Sequence, residues 1–137
     1  MYARRMAADR LLPTEAVLLI GVELALGDWD FALRLAFQAI AGVSMATEID
    51  LPNLLAEEPA WCTDDRFNVL VATGVAFALE RRGLPAPPWT NRPSLSEDWI
   101  VWGDEHGPSE AWAARIRTRT PKRFADRRVF LTENDLS

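Results

Sequence analysis

The sequence has one cysteine, Cys62, and one histidine, His106, among 137 residues. A single thiol excludes an intramolecular disulfide and any cysteine-built metal cage within one chain. Without a second histidine or a nucleophile turn, no Cys–His pair can be assembled around Cys62, which reads as a buried structural thiol. His106, between Glu105 and Gly107, reads as a loop residue at the surface. No glycine-rich phosphate cradle and no metal-ligand spacing occurs. Long apolar runs are also missing. The longest, Ala16 to Leu26, is broken by Glu23 and falls well short of the roughly 20 residues a membrane helix needs. Arg4, Arg5 and Arg10 open the chain, but no apolar segment with a small-residue cleavage site follows them, so no secretion signal is expected. These absences exclude a self-contained metal, nucleophile or phosphate-binding site. They lead to the expectation of a cytoplasmic chain without catalytic residues, metal, cofactor or membrane span.

What is present suffices for a core, since 49% of the residues are hydrophobic and the length is that of one domain. Residues 1–137 are expected to form a single unit, with 1–12 and 132–137 flexible at its ends. The fold class expected is all-α: a small helical bundle with an N-terminal antiparallel helical hairpin and an irregular Pro/Trp-rich strap.

The helix signals are local. Pro13-Thr14-Glu15 suits a first helical turn and Gly27 the end of that helix. Asp28 or Asp30 then caps a second helix to about Met45, with Phe31, Leu35, Ala39 and Gly42 at helical spacing and Leu33, Phe37 and Ile40 widening the apolar face. A short turn between them implies antiparallel packing. Pro52 and Pro59 mark a loop with a short helix around 53–57. Asp64 and Asp65 open the clearest helix, which stops at Arg81-Arg82-Gly83, where basic residues oppose the negative helix end and Gly permits a left-handed cap. Gly74 within it costs near 1 kcal/mol and so points to close approach by another helix. Pro85, Pro87, Pro88 and Pro93 then make 84–108 irregular, with Trp89, Trp99 and Trp102 as its large apolar groups. Pro108-Ser109-Glu110 opens a further helix ending near Thr120-Pro121. A turn over 122–126 leads to an extended Val129-Phe130-Leu131.

Net charge is −5, but the bases gather at the chain ends. Arg115, Arg117, Arg119, Lys122, Arg123, Arg127 and Arg128 crowd the C-terminal part, while the body between is acidic. Arg115, Arg119, Lys122 and Arg123 are therefore candidate nucleic-acid contacts, or a counter-charge to an acidic face. The adjacent carboxylates Glu57-Glu58, Asp64-Asp65 and Glu97-Asp98 point in different directions along the chain and form no acid/base pair. Six tryptophans serve either as core filler or as contact groups; Trp89, Trp99 and Trp102, in the least regular segment, are the protein-contact candidates.

The segment Leu24 to Leu33 resembles the turn of a tetratricopeptide-type hairpin, but no second copy follows at that period. Gly27-Asp28-Trp29-Asp30-Phe31-Ala32-Leu33-Arg34, Gly83-Leu84-Pro85-Ala86-Pro87-Pro88-Trp89-Thr90, Thr120-Pro121, Phe124-Ala125 and Val129-Phe130-Leu131 together resemble a family of small actinobacterial helical proteins. Members of that family resemble antitoxins, or regulators, encoded beside nucleotidyltransferase-type toxins, and this region there often follows a helix-turn-helix domain. That DNA-reading domain is missing here, so the resemblance implies a protein partner, such as a toxin, more than an operator. The alternatives are an accessory subunit or homodimer, and a nucleic-acid-binding regulator using the basic C-terminal segment.

Overall fold

The computed structural model describes residues 11–103 and 109–136; His106 lies outside them. Helix α1, Pro13–Ala25, starts with proline in its first turn, and the Leu12 N–H donates to Glu15 Oε1 at 3.1 Å. It ends in a Schellman arrangement: Gly27 adopts φ +80°, its N–H donates to the Leu24 carbonyl, and the Asp28 N–H donates to the Glu23 carbonyl at 2.8 Å. The same Asp28 then caps α2, Trp29–Met45, its carboxylate accepting from the Phe31 N–H at 3.1 Å. One residue thus closes one helix and opens the next, and α1 packs against α2 across the turn.

A short α3, Leu51–Leu55, lies two residues earlier than the sequence pattern places it, with Pro52 taken into its first turn. Helix α4, Asp65–Arg81, follows the expected bounds. Asp64 caps it by accepting from the Arg66 N–H at 3.0 Å. A second Schellman closure ends it, with Gly83 at φ +73° and the Leu84 N–H donating to the Leu79 carbonyl at 2.9 Å. Every residue from Phe67 to Ala76 is buried. Asn68 is among them, and both ends of its amide are bonded: Oδ1 accepts from the Cys62 N–H at 3.0 Å and Nδ2 donates to the Cys62 carbonyl at 2.8 Å. That clamp pins the loop entering α4, as a buried amide requires.

After a 3-10 turn over Pro88–Thr90 comes strand β1, Trp99–Ile100. Helix α5, Glu110–Arg119, is capped by Ser109 Oγ, which accepts from the Trp112 N–H at 3.1 Å; α6 is Lys122–Ala125. Strand β2, Val129–Phe130, lies parallel to β1, Trp99 opposite Val129 and Ile100 opposite Phe130. The molecule is mostly helical, in rough agreement with the all-α expectation, to which this one small strand pair is added. Each strand has two residues, too few to show the alternation that marks a strand in sequence, and the pairing is non-local. The parallel geometry needs the crossover that α5 and α6 supply. The end of the chain is also more ordered than expected. Glu133–Leu136 forms a 3-10 turn, the Thr132 N–H donates to Asp135 Oδ2 at 2.9 Å, and Leu136 is buried.

Gly74 meets α2 where the pattern suggests a close approach. A methyl group there would overlap the Ile40 side chain, which is itself fully buried. At an open helical site Gly→Ala stabilises by about 1 kcal/mol. Here overpacking of about 1–3 kcal/mol opposes that gain. Gly74→Ala is expected to lower the melting temperature, and Ile40→Val in the same chain to restore part of the loss. A rise in melting temperature for Gly74→Ala alone would show that the two helices are not in contact at this point.

Candidate docking surface

The tryptophans divide between core and surface in a way composition does not reveal. Trp99 is only 5% exposed. Its ring lies 5.5 Å from Phe67 and 6.3 Å from Trp29, and Trp29 meets Phe67 edge-on at 5.0 Å. The Arg66 guanidinium covers this cluster, 4.5 Å from the Trp29 ring and 5.6 Å from Trp99, and is held by Asp64 at 2.9 Å. Trp99 therefore fills the joint between the start of α2, the start of α4 and β1. The contact role expected of it is replaced by a core role, because both α2 and α4 present aromatic rings to it. Trp89 is half-buried against Trp61, with ring centroids 6.0 Å apart. Trp102, also half-buried, stacks on Phe37 at 6.1 Å and donates from Nε1 to Asp135 at 3.3 Å. Trp89 and Trp102 thus keep some exposed surface, whereas Trp99 keeps almost none.

The basic C-terminal segment folds back on the acidic body. Arg123 donates from Nε to Glu80 Oε1 at 2.8 Å, and Lys122 pairs with Asp126 at 2.9 Å. Arg117 and Arg128 both hold Asp98, at 2.8 and 2.7 Å. Of the four candidate nucleic-acid residues, Lys122 and Arg123 are thus engaged with carboxylates, while Arg115 and Arg119 are exposed on α5. Arg128 reaches Asp98 from a left-handed backbone, φ 67°, and its carbonyl accepts from the Trp99 N–H at 2.9 Å. The fold seam and the ion pairs therefore meet at one residue.

A cleft of about 620 Å³ opens between the start of α4, residues 95–100 and Arg117. Three of its four carboxylates are committed, Asp64 to Arg66, Asp65 to Arg92 at 2.8 Å and Asp98 to its two arginines, while the fourth, Glu97, is exposed. It is an ion-paired seam between parts of the fold. Asp98 sits below the usual carboxylate range because Arg117, and then Arg128, donate to it; Glu80 is lowered in the same way by Arg123. Cys62 is half-buried, its Sγ 3.2 Å from Asn68 Oδ1, and burial raises its thiol above the ordinary value. Among the described residues no group of three or more His, Cys, Asp or Glu side chains could hold a metal ion, and no helix is long and apolar enough to cross a membrane.

Besides Met45 and Ile49, at and after the end of α2, the large apolar side chains left exposed among the described residues lie on α1 and at its corner with α2. Pro13, Ala16, Val17 and Ile20 face the core. At 100° per residue, Leu18, Leu19, Val22 and Leu26 fall on the opposite side, with Leu18 65%, Val22 50% and Leu26 74% exposed. Phe31, in the first turn of α2, continues the strip past the Asp28 corner and is 45% exposed. A helix apolar on both faces belongs between two layers, and only one layer is present here. The signal for it in the sequence is the run Ala16 to Leu26, whose only charged residue is Glu23. Searches of protein-family models, curated proteins and solved structures find no match to this chain.

Two measurements follow from this geometry. Trp99→Ala is expected to cost about 3–5 kcal/mol of unfolding free energy, as for a buried aromatic, whereas Leu26→Glu should stay within about 0.5 kcal/mol; urea melts that rank the two the other way would reverse the assignment of faces. The second concerns acid. A carboxylate whose folded value is depressed contributes stability that is complete above its unfolded value of about 4 and is lost as pH falls through the folded value. These pairs are partly exposed, so each contributes at most about 1 kcal/mol. The stability gap between the native chain and Asp98→Asn should therefore narrow as pH falls below the unfolded value of about 4, and a gap independent of pH would show that the arginines do not act on Asp98.

Proposed function

We propose that this chain is a non-catalytic protein-binding module of the cytoplasm that neutralises a nucleotidyltransferase-type toxin by direct binding. The toxin class comes from the resemblance carried by Gly27 to Arg34, Gly83 to Thr90 and the C-terminal motifs. The observation that carries the binding role is the outward apolar face of α1, with Leu18, Val22 and Leu26 at least half exposed. Contiguous apolar surface of this kind on a folded protein marks an interaction site. The hairpin of α1 and α2 serves as its rigid support, since the Asp28 corner leaves no slack between the helices. Neutralisation by covering a toxin's nucleotide or acceptor site requires contact alone. The nucleic-acid reading draws less support, because Lys122 and Arg123 already bind carboxylates of the chain itself.

The test is co-expression with the product of the neighbouring gene. Growth arrest by the neighbour alone, relief by this chain, and co-purification of the two are expected. Leu18→Glu with Leu26→Glu should abolish relief while leaving the thermal melt within a few degrees of the native one. A neighbour that is harmless alone, or that stays fully active beside an excess of this chain, would sink the antitoxin reading. It would leave an accessory subunit in its place.

A further inference from the structure

The α1 face is apolar along its middle and negative along its margins. From Leu11 to Leu33 the chain has four carboxylates, Glu15, Glu23, Asp28 and Asp30, and no Lys or Arg. Glu23 lies on the flank of the strip, one residue after Val22 and three before Leu26. Asp28 is exposed at the corner where the strip passes from Leu26 toward Phe31. The first base beyond, Arg34, is joined to Asp30 at 3.4 Å. Among the described residues, Arg66 lies over the Trp29 ring beside this corner but is held by Asp64, and Arg117, Arg123 and Arg128 are engaged by Asp98 and Glu80.

We infer that this face docks on a partner protein presenting an apolar groove edged with arginine or lysine, and not on a second copy of the chain. The inference rests on the reading of the chain as a docking module and adds the chemistry of the partner. A two-fold contact brings a patch against itself. Copies joined through α1 would bring together two surfaces with the same negative flank, with no base between Leu11 and Leu33 to offset it. A basic edge removes that repulsion and adds long-range attraction. The two parts of the surface then act on different steps. Leu18, Val22 and Leu26, desolvated on contact, hold the complex and govern dissociation. The marginal carboxylates steer the encounter, so their removal slows association and flattens its salt dependence.

The experiment uses the full chain and two synthetic amphipathic helices of about three heptads, identical in their leucines, one flanked by lysine and the other by glutamate. Binding is read by fluorescence anisotropy, and the state of the free chain by sedimentation velocity. The lysine-flanked helix is expected to bind at least about 10-fold more tightly at low salt, the advantage fading as ionic strength rises. Glu23→Lys with Asp30→Lys should cancel or invert the preference, and Leu18→Ser with Leu26→Ser should abolish binding of both helices. Circular dichroism checks the fold of each variant. If the lysine pair unfolds the chain, Glu23→Gln with Asp30→Asn is read instead, and a narrowed preference is expected.

Equal affinity for the two helices, or binding of neither, would overturn the inference. So would a concentration-dependent dimer that Leu18→Ser with Leu26→Ser dissociates, since the face would then belong to a second copy. The toxin reading fails separately. Capture of the neighbouring toxin through α1 without a charge preference removes only the present inference. A charge preference with no toxin captured removes only the toxin.

Discussion

The complete burial of α4 from Phe67 to Ala76 is the constraint on which the rest depends. No side of it from Phe67 to Ala76 meets solvent, so every polar group there must find its partner within the protein. Asn68 does so by gripping the Cys62 backbone from both ends of its amide. Asp64 supplies the N-terminal cap, and the turn at Gly83 takes up the last carbonyls. Gly74 sets how near α2 can come, because it leaves room for Ile40 and nothing more. Phe77 leans on Phe124 at 5.4 Å, bringing α6 against the helix, while Phe67 receives Trp29 and Trp99 at the other end. The remaining elements are the walls of the compartment that α4 needs.

Charge follows the same arrangement. Three of the arginines that crowd the C-terminal part of the sequence serve as braces, Arg117 and Arg128 fixing Asp98 and Arg123 fixing Glu80, and Arg82 donates to the Val43 carbonyl at 2.8 Å, tying the end of α4 to the end of α2. Arg92 lies 4.6 Å over the Trp61 ring while holding Asp65, so one side chain joins the loop before α4, its first turn and the strap. Exposed pairs of this kind contribute little singly. Their more evident effect is one of placement, since they tie the C-terminal part of the chain to the helical body.

The helices could be read from the sequence because their boundaries are local events. Pro13, Asp28, Asp64, Gly83 and Ser109 each act on atoms within a few residues, and each stands where the structure uses it. Gly74 was legible for the same reason, as a helix-weakening residue that only a close neighbour explains. The β1–β2 pair was not, since two residues carry no period and the partner lies far along the chain. Trp99 and Leu26 illustrate the harder limit. Residue type ranks tryptophan above leucine as a contact group, yet which of them meets solvent depends on what packs against it, and that is decided by the whole fold. Segregation of charge was visible in the sequence, but the choice of Glu80 for Arg123 and Asp98 for Arg117 was not.

The parallel pairing of β1 with β2 has a kinetic consequence. Helices α1 and α2 meet across a single turn, but Trp99 and Ile100 reach Val129 and Phe130 only after the chain from Val101 to Arg128 has returned on itself. The entropy of closing a loop grows with its length, and contacts distant in sequence slow folding accordingly. The seam thus belongs to the late part of assembly. Its amides at Trp99 and Val101, bonded to the carbonyls of Arg128 and Phe130, report closure of the C-terminal part separately from the helical body.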